Sequence, residues 1–417
     1  MKKTVKIVII TVISFLTLAF SACLSGAGGQ PEDIAFTHSD IDFDNRFGNG
    51  FGGIVETEDA YYCLSFGGEY LYYYDKQSGE RGVLCGKPDC LHDAEGSNRS
   101  CNGFAGSSGT SLNYADGRLY WIAEDTANHC YAVYSAALDG SQKALVTDIE
   151  EGRLTEGFTP HRADLHHGSF YAFDQTPIII NGVPYIETSI VRINSKTGRT
   201  KIIYAADEEQ SESTFQTPIL FYSGQYVYFC LSKLDADADG SQHSIIELRR
   251  YDSDAEEIKD VYISREEDAP GNAFRFWIGA EDQIYLIPIA VPDGAPPKLY
   301  LLSENGLTPV FAFGRSGTSF LSDGIAVCYD QMGSKMEIRD FTGALLFDGE
   351  LDISVVHDAV GDASYFPYVA SIHGSRNELF VWYLLWNAET EPQSCFVRYD
   401  LTEDKPTATI IAFIPGV

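Results

Sequence analysis

Apolar and polar residues alternate in short runs along most of the chain, and clusters of Gly, Asp, Asn and Ser break the runs. Residues 60–85 give the pattern in full: AYYCLSF, a Gly-Gly turn, YLYYYDK, a polar turn and GERGVLC. Period-two alternation of branched and aromatic residues predicts strands, and the polar clusters predict tight turns. A strand that ends in such a turn recurs seven times, at LYYYDKQSGE (from Leu71), VYSAALDGSQ (Val133), IVRINSKTGR (Ile190), LRRYDSDAEE (Leu248), LYLLSENGLT (Leu299), MEIRDFTGAL (Met336) and CFVRYDLTED (Cys395). Each copy is preceded by a second strand, such as RLYWIAED or ELFVWYLLW, and before that by a further short apolar run. Asp and Asn suit these turns because they cap their own backbone and tolerate the left-handed region. Four strands per unit and seven units predict an all-β fold, a β-propeller of seven four-stranded blades. From Glu56 onward each unit has about 52 residues, slightly above the usual repeat, so the excess belongs in loops. Six or eight blades, or a pair of β-sandwiches, are the competing architectures.

The first residues follow a different rule. Lys2, Lys3 and Lys6 form a basic start, and residues 7–20 form an apolar run too short to span a bilayer comfortably. The run ends in Phe20-Ser21-Ala22-Cys23, small residues before a cysteine, which resembles a bacterial lipobox although Leu is usual where Phe20 stands. The expected organisation is therefore a signal peptide over 1–22, a lipid-anchored flexible tether over 23–33 and the propeller over 34–417. Ordinary secretion with cleavage nearby is the alternative. The lipobox reading places the protein outside the cytoplasm, attached to the cell membrane through Cys23.

Charge narrows the partners. The chain carries 60 acidic residues against 29 Lys and Arg, a net charge of −31. Loss of the three leading lysines makes it about −34. Such a surface repels nucleic acid and anionic headgroups. It suits solubility, with a preference for cationic or metal ligands as the more specific reading.

With blade strands named A to D from the inside out, the A–B and C–D turns read as tight. The longer segments are 86–109, 208–217 and 352–366 between blades, and 177–184, 234–242 and 292–297 between strands B and C. All of them fall at one end of the ring. Loops on a rigid scaffold carry binding and catalysis, so this decorated end is the expected binding face.

Three groups of residues suggest chemistry. Cys85, Cys90, His92 and Cys101 have the spacing C-x4-C-x-H-x8-C, a donor set for a closed structural zinc site. A disulfide, for instance between Cys90 and Cys101, and free thiols are the alternatives. Asp235, Asp237 and Asp239 with Gly240 match the first half of a calcium loop. The Glu expected at its twelfth position is absent, with Ile246 there instead, and a solvated acidic turn is the plainer reading. In His161-Arg162-Ala163-Asp164-Leu165-His166-His167, alternation puts Asp164 and His166 on one face of an inner strand. They are weak candidates for acid–base work, or a polar lining of the channel. The sequence contains no nucleophile elbow, Walker loop or His-Glu-x-x-His motif. The remaining thiols, Cys63, Cys130, Cys230, Cys328 and Cys395, read as small buried hydrophobes. Trp121, Trp277, Trp382 and Trp386 suit either sugar stacking or strand packing.

Leu84, Cys85, Lys87, Pro88, Cys90, His92, Cys101 and Asn102, set in Tyr-rich blades downstream of a lipobox, resemble uncharacterised propeller-type lipoproteins of Gram-positive anaerobic bacteria. The resemblance implies a surface-anchored propeller and brings no catalytic residue. The expected function is a monomeric binding module that offers its loop-rich face to a protein or glycan. A propeller hydrolase or lyase on extracellular polysaccharide or peptide is the alternative, and an envelope scaffold is a third reading. Possible cofactors are the structural zinc and a calcium ion.

Overall fold

The computed structural model describes residues 43–48, 53–64, 69–92, 98–106, 111–125, 130–149, 162–180, 183–205, 219–236, 242–264, 272–290, 296–314, 317–362, 364–387, 392–403 and 405–415. All of them belong to the unit Asp40–Val417. They form seven four-stranded antiparallel sheets, each built from strands consecutive in the chain: 53–83, 113–148, 163–205, 219–263, 272–312, 318–350 and 366–414. This is the seven-bladed propeller that the repeat predicts, blade for blade. No helix among the described residues is long and apolar enough to cross a membrane.

The C–D turns form for the reason their composition suggests. The carboxylate of Asp75 accepts the N–H groups of Gln77 and Ser78 at 3.0 and 2.6 Å. Asn194, Asp252, Asp340 and Asp400 do the same for the residues two or more positions on. In six blades the C–D pairing carries a register shift, for example between Ile190 and Val191. A bulge there twists the outer edge strand and blunts its capacity to pair with another chain.

The core lies between blades. Trp121 and Leu71 fill the space between blades 1 and 2, Phe170 and Val133 between 2 and 3, Phe229 and Ile190 between 3 and 4. Trp277 anchors the cluster that runs from blade 4 to blade 6, and Tyr383 the one between 6 and 7. The last patch joins Trp382, Phe396 and Ile411 of blade 7 to Ile54, Tyr61 and Tyr72 of blade 1. Among the described residues no strand is exchanged between the first and last blades, and side-chain packing joins them.

Two segments expected as B–C loops are extended instead. Strands Ser169–Ile180 and Val183–Asn194 pair without interruption from Ser169↔Asn194 to Ile180↔Val183. Tyr226–Ala236 and Gln242–Asp252 likewise pair as far as Ala236↔Gln242. The decoration of blades 3 and 4 is thus a pair of two-stranded ribbons. The 352–366 connection carries a short helix, Ser354–Val360.

Candidate functional site

At the A–B end of the ring, residues 43–48, which include a 3-10 turn (Asn45–Phe47), reach blades 1, 3, 4 and 7. Asn45 reads the backbone of Tyr222 in blade 4, donating to its carbonyl at 2.7 Å and accepting its N–H at 3.0 Å. Arg46 pairs with Glu56 of blade 1 at 3.0 Å. Phe47 is buried, with its ring edge-on to Phe380 of blade 7 at 5.2 Å.

In strand A of blade 3 (Ala163–His166), His166 bonds this segment directly and Asp164 fixes the Arg162 that lies against it. Asp164 and His166 are fully buried. Asp164 takes two contacts from Arg162, at 2.8 and 2.6 Å, and accepts the Tyr222 hydroxyl at 3.0 Å. Burial pushes the Asp164 carboxyl up, and the Arg162 guanidinium pulls it back. The same guanidinium lies over the Phe43 ring at 5.3 Å. His166 Nε2 faces the Gly224 carbonyl at 2.6 Å, so it carries the proton, and Nδ1 then accepts the Phe43 N–H at 3.3 Å. Both ring nitrogens are therefore occupied. Alternation does place the two residues on one face, but Phe43 and its neighbours cover that face. His161, the first residue of the motif, lies outside the described residues.

The connection after blade 1 brings the thiols together. Strand D ends at Val83, and Leu84 N–H still donates to Leu71 O at 2.8 Å. The chain then leaves the sheet and is fixed to the C–D turn of blade 2. Gly140 O accepts Gly86 N–H at 3.1 Å and the Asn102 side chain at 2.9 Å. Gly140 has φ +72°, and a Cβ there would stand 2.7 Å from the Cys85 nitrogen, so glycine is required. The return leg is pinned by Leu71 N–H to Gly103 O at 2.7 Å and Ala105 N–H to Glu69 O at 2.6 Å. Within this frame the donor atoms of Cys85, Cys90, His92 and Cys101 all lie within 4.8 Å of one another. Cys101 Sγ is 3.7 Å from His92 Nδ1. Burial disfavours the Cys85 thiolate, yet the N–H groups of Lys87 and Asn102 and the neighbouring thiols outweigh it and hold that thiol at about 6. Burial pushes Cys101 up to about 12.

A second donor group was not expected from the sequence. Asp125, Cys130 and Asp148 in blade 2 also converge within 4.8 Å. Its signal was the pairing of Asp125 with Cys130 across the B–C turn. Cys130 and Cys328 are only half-buried, unlike Cys63, Cys230 and Cys395. In the calcium motif, Asp235 stands in a strand opposite His243, whereas Asp237 and Asp239 lie outside the described residues. The lipidation candidate Cys23 also lies outside them.

The tryptophans separate clearly. Trp121, Trp277 and Trp382 are buried, but Trp386 is 54% exposed. It pairs across the sheet with Phe366, and Tyr368 follows on the same face; these two are 49% and 44% exposed. The trio sits where strand A of blade 7 begins and strand B ends, which is the decorated end. By alternation its face is the one that carries Phe380 and Trp382 against blade 1. Among the described residues, the A and B strands of blade 7 have 10 and 9 residues and those of blade 1 have 4 and 5. Asn387 beside Trp386 donates to Ser364 Oγ at 2.7 Å.

The sequence matches no family model and no curated protein. Solved structures with a similar fold include the β-propeller domain of the Trilobed protease from Pyrococcus furiosus. It is 7% identical with a TM-score of 0.45, over 86% of this chain and 98% of that one. The polysaccharide lyase Uly1 is 8% identical with a TM-score of 0.46, over 91% and 94%. A Pyrococcus horikoshii acylaminoacyl peptidase is 9% identical with a TM-score of 0.46, over 88% of this chain and 54% of that one. At such distances the likeness is one of fold alone.

Proposed function

We propose that this protein is a binding module, lipid-anchored through Cys23 outside the cytoplasm, that holds a glycan against the decorated end of blade 7. The exposed trio Phe366, Tyr368 and Trp386 carries this reading. Large exposed aromatics grouped on one face mark recognition surfaces. Three rings are a small platform. A stable protein interface covers about 800 Å² per partner, whereas one or two sugar rings need only the flat face of an indole and a few flanking hydrogen-bonding groups such as Asn387. The acidic surface suits neutral sugars better than anionic ones. A hydrolase or lyase reading finds no support in Asp164 and His166, whose polar atoms are engaged with Arg162 and Tyr222 and with Gly224 and Phe43. The cysteine cluster enters as a staple of the rim, and its metal is argued below. The motif shared with surface-anchored propellers agrees with the same setting.

The test is affinity electrophoresis in gels cast with neutral cell-surface polysaccharides, followed by calorimetry on the retarding glycan. Trp386→Ala, a surface change that leaves the fold intact, is expected to weaken binding at least tenfold. Retention unchanged by that substitution, or capture only of proteins, would overturn the reading. Metabolic labelling with an alkyne fatty acid, lost in Cys23→Ala, tests the anchor.

A further inference from the structure

We propose that Cys85, Cys90, His92 and Cys101 bind one zinc ion as a closed structural site that locks the connection after blade 1 into the fold it adopts beside the rim of blade 2. Four donors from a 17-residue span converge to within 4.8 Å, although Lys87, Pro88, Asp89, Leu91 and Ser100 around them are exposed. The sulfurs pack on the core between blades 7 and 1, but packing alone does not require the His92 imidazole to meet them. His92 adopts φ 56°, the left-handed region that costs a non-glycine residue energy. That backbone brings its ring to the Cys101 sulfur.

The spacing favours a metal over a disulfide. A tetrahedral zinc with Zn–S of about 2.3 Å and Zn–N of about 2.0 Å separates sulfur from nitrogen by roughly 3.5 Å. The Cys101–His92 distance is 3.7 Å. A disulfide joins two sulfurs at about 2 Å and leaves the third thiol and the imidazole without a role. Three soft sulfurs and one imidazole, with no carboxylate among them, select zinc over calcium or magnesium and leave no open position for chemistry.

The surroundings complete the site. Backbone N–H groups of Lys87 and Asn102 address Cys85, and that of Gly103 addresses Cys101, as thiolates require. Asn98 Nδ2 donates to Cys90 Sγ at 3.7 Å. Three thiolates on a dication leave one negative charge. Lys143, whose ammonium lies over the Phe104 ring at 5.5 Å and donates to the Phe104 carbonyl, faces Cys85 and Cys101 and offsets it.

The experiment is elemental analysis and thiol titration of the full chain, purified natively without added metal or chelator. It is independent of the glycan reading, since it measures an ion and not a ligand. About one zinc per chain is expected in the parent and in Cys130→Ser, and less than a tenth of that in Cys90→Ser and His92→Ala. Circular dichroism of each variant checks the blades. Cobalt exchanged into the parent is expected to give the intense visible bands of a tetrahedral thiolate site, lost in Cys90→Ser. Zinc retained in both ligand variants would assign it elsewhere and overturn the proposal. So would iron or copper in its place, or no metal, whether with two thiols missing or with all of them free.

Discussion

His373 offers the sharpest check on the packing of the 43–48 segment at the A–B end of the ring. It lies in strand A of blade 7 (Phe366–Ser375), only 4% exposed, with Nε2 2.9 Å from Ser371 Oγ. The groups that face it are Arg162 from blade 3, Asp44 and the Arg46 backbone from the 43–48 segment, and the Phe47 ring at 6.1 Å. Burial first, and the Arg162 cation second, push its imidazolium from the ordinary 6.5 down to about 4. The sign follows from proton counting. Above pH 6.5 neither folded nor unfolded chain binds the proton, and stability is full. Between 6.5 and 4 the unfolded chain binds it and the folded chain does not, so stability falls, and below 4 it levels off. That gap amounts to a loss of roughly 2 kcal/mol at pH 5 and 3 kcal/mol at pH 4. Urea unfolding at pH 7, 6 and 5 measures it, with His373→Gln as the non-titrating reference. The variant's own cost cancels, because only the slope against pH is compared. Between pH 7 and 5 the parent is expected to lose about 2 kcal/mol more than the variant. Parallel curves would refute the reasoning, since they would mean that His373 accepts its proton in the folded ring.

Two further substitutions test the same end. Asp164→Ala leaves the Arg162 charge buried beside Phe43 and is expected to cost about 3–5 kcal/mol by urea unfolding, whereas the apolar double replacement Arg162→Met with Asp164→Leu recovers most of it. A double variant no more stable than the single one would show that the ion pair is not the source of the cost. Phe47→Ala removes the ring that bridges blades 7 and 1 and is expected to cost about 3–5 kcal/mol. Hydrogen exchange should rise in Glu378–Trp386 and Gly53–Glu56 and stay level in Ile284–Ala290 of blade 5; a uniform rise would argue against a local role.

What the sequence made legible was local. Asp75, Asn194, Asp252, Asp340 and Asp400 end a strand and cap the turn that follows within three residues, so the repeat can be counted by eye. The convergence of Cys85, Cys90, His92 and Cys101 was legible for the same reason, since their spacing fits one loop. The blade 3 ribbon was not, because Pro177 and Pro184 read as strand breakers; nor was the blade 4 ribbon, because the run from Asp235 to Gly240 reads as a polar turn. The 43–48 segment has no period to read. Its meaning lies in Tyr222 and His166, 177 and 123 residues away in sequence. Trp386 shares its strand face with Trp382, and alternation cannot tell the two apart. Trp382 is buried in the core shared with blade 1, whereas Trp386, four residues on, is exposed.

That seam also explains why unlike features gather where the ring closes. Every other inter-blade contact is assisted by a covalent connection that leads from one blade into the next. Blades 7 and 1 are not consecutive in the chain, and among the described residues they share no sheet. The closure therefore depends on Trp382 and Phe396 packing on Tyr61 and Tyr72, on Phe47 at the A–B end, and on Arg81 donating to the Ile410 carbonyl at 2.7 Å. Cys85, Cys90 and Phe104 pack against this same core, so a zinc ion that fixes their loop would brace the seam from its outer side. The exposed aromatic face of blade 7 stands at the decorated end of this same sheet, beside the contacts that close the ring.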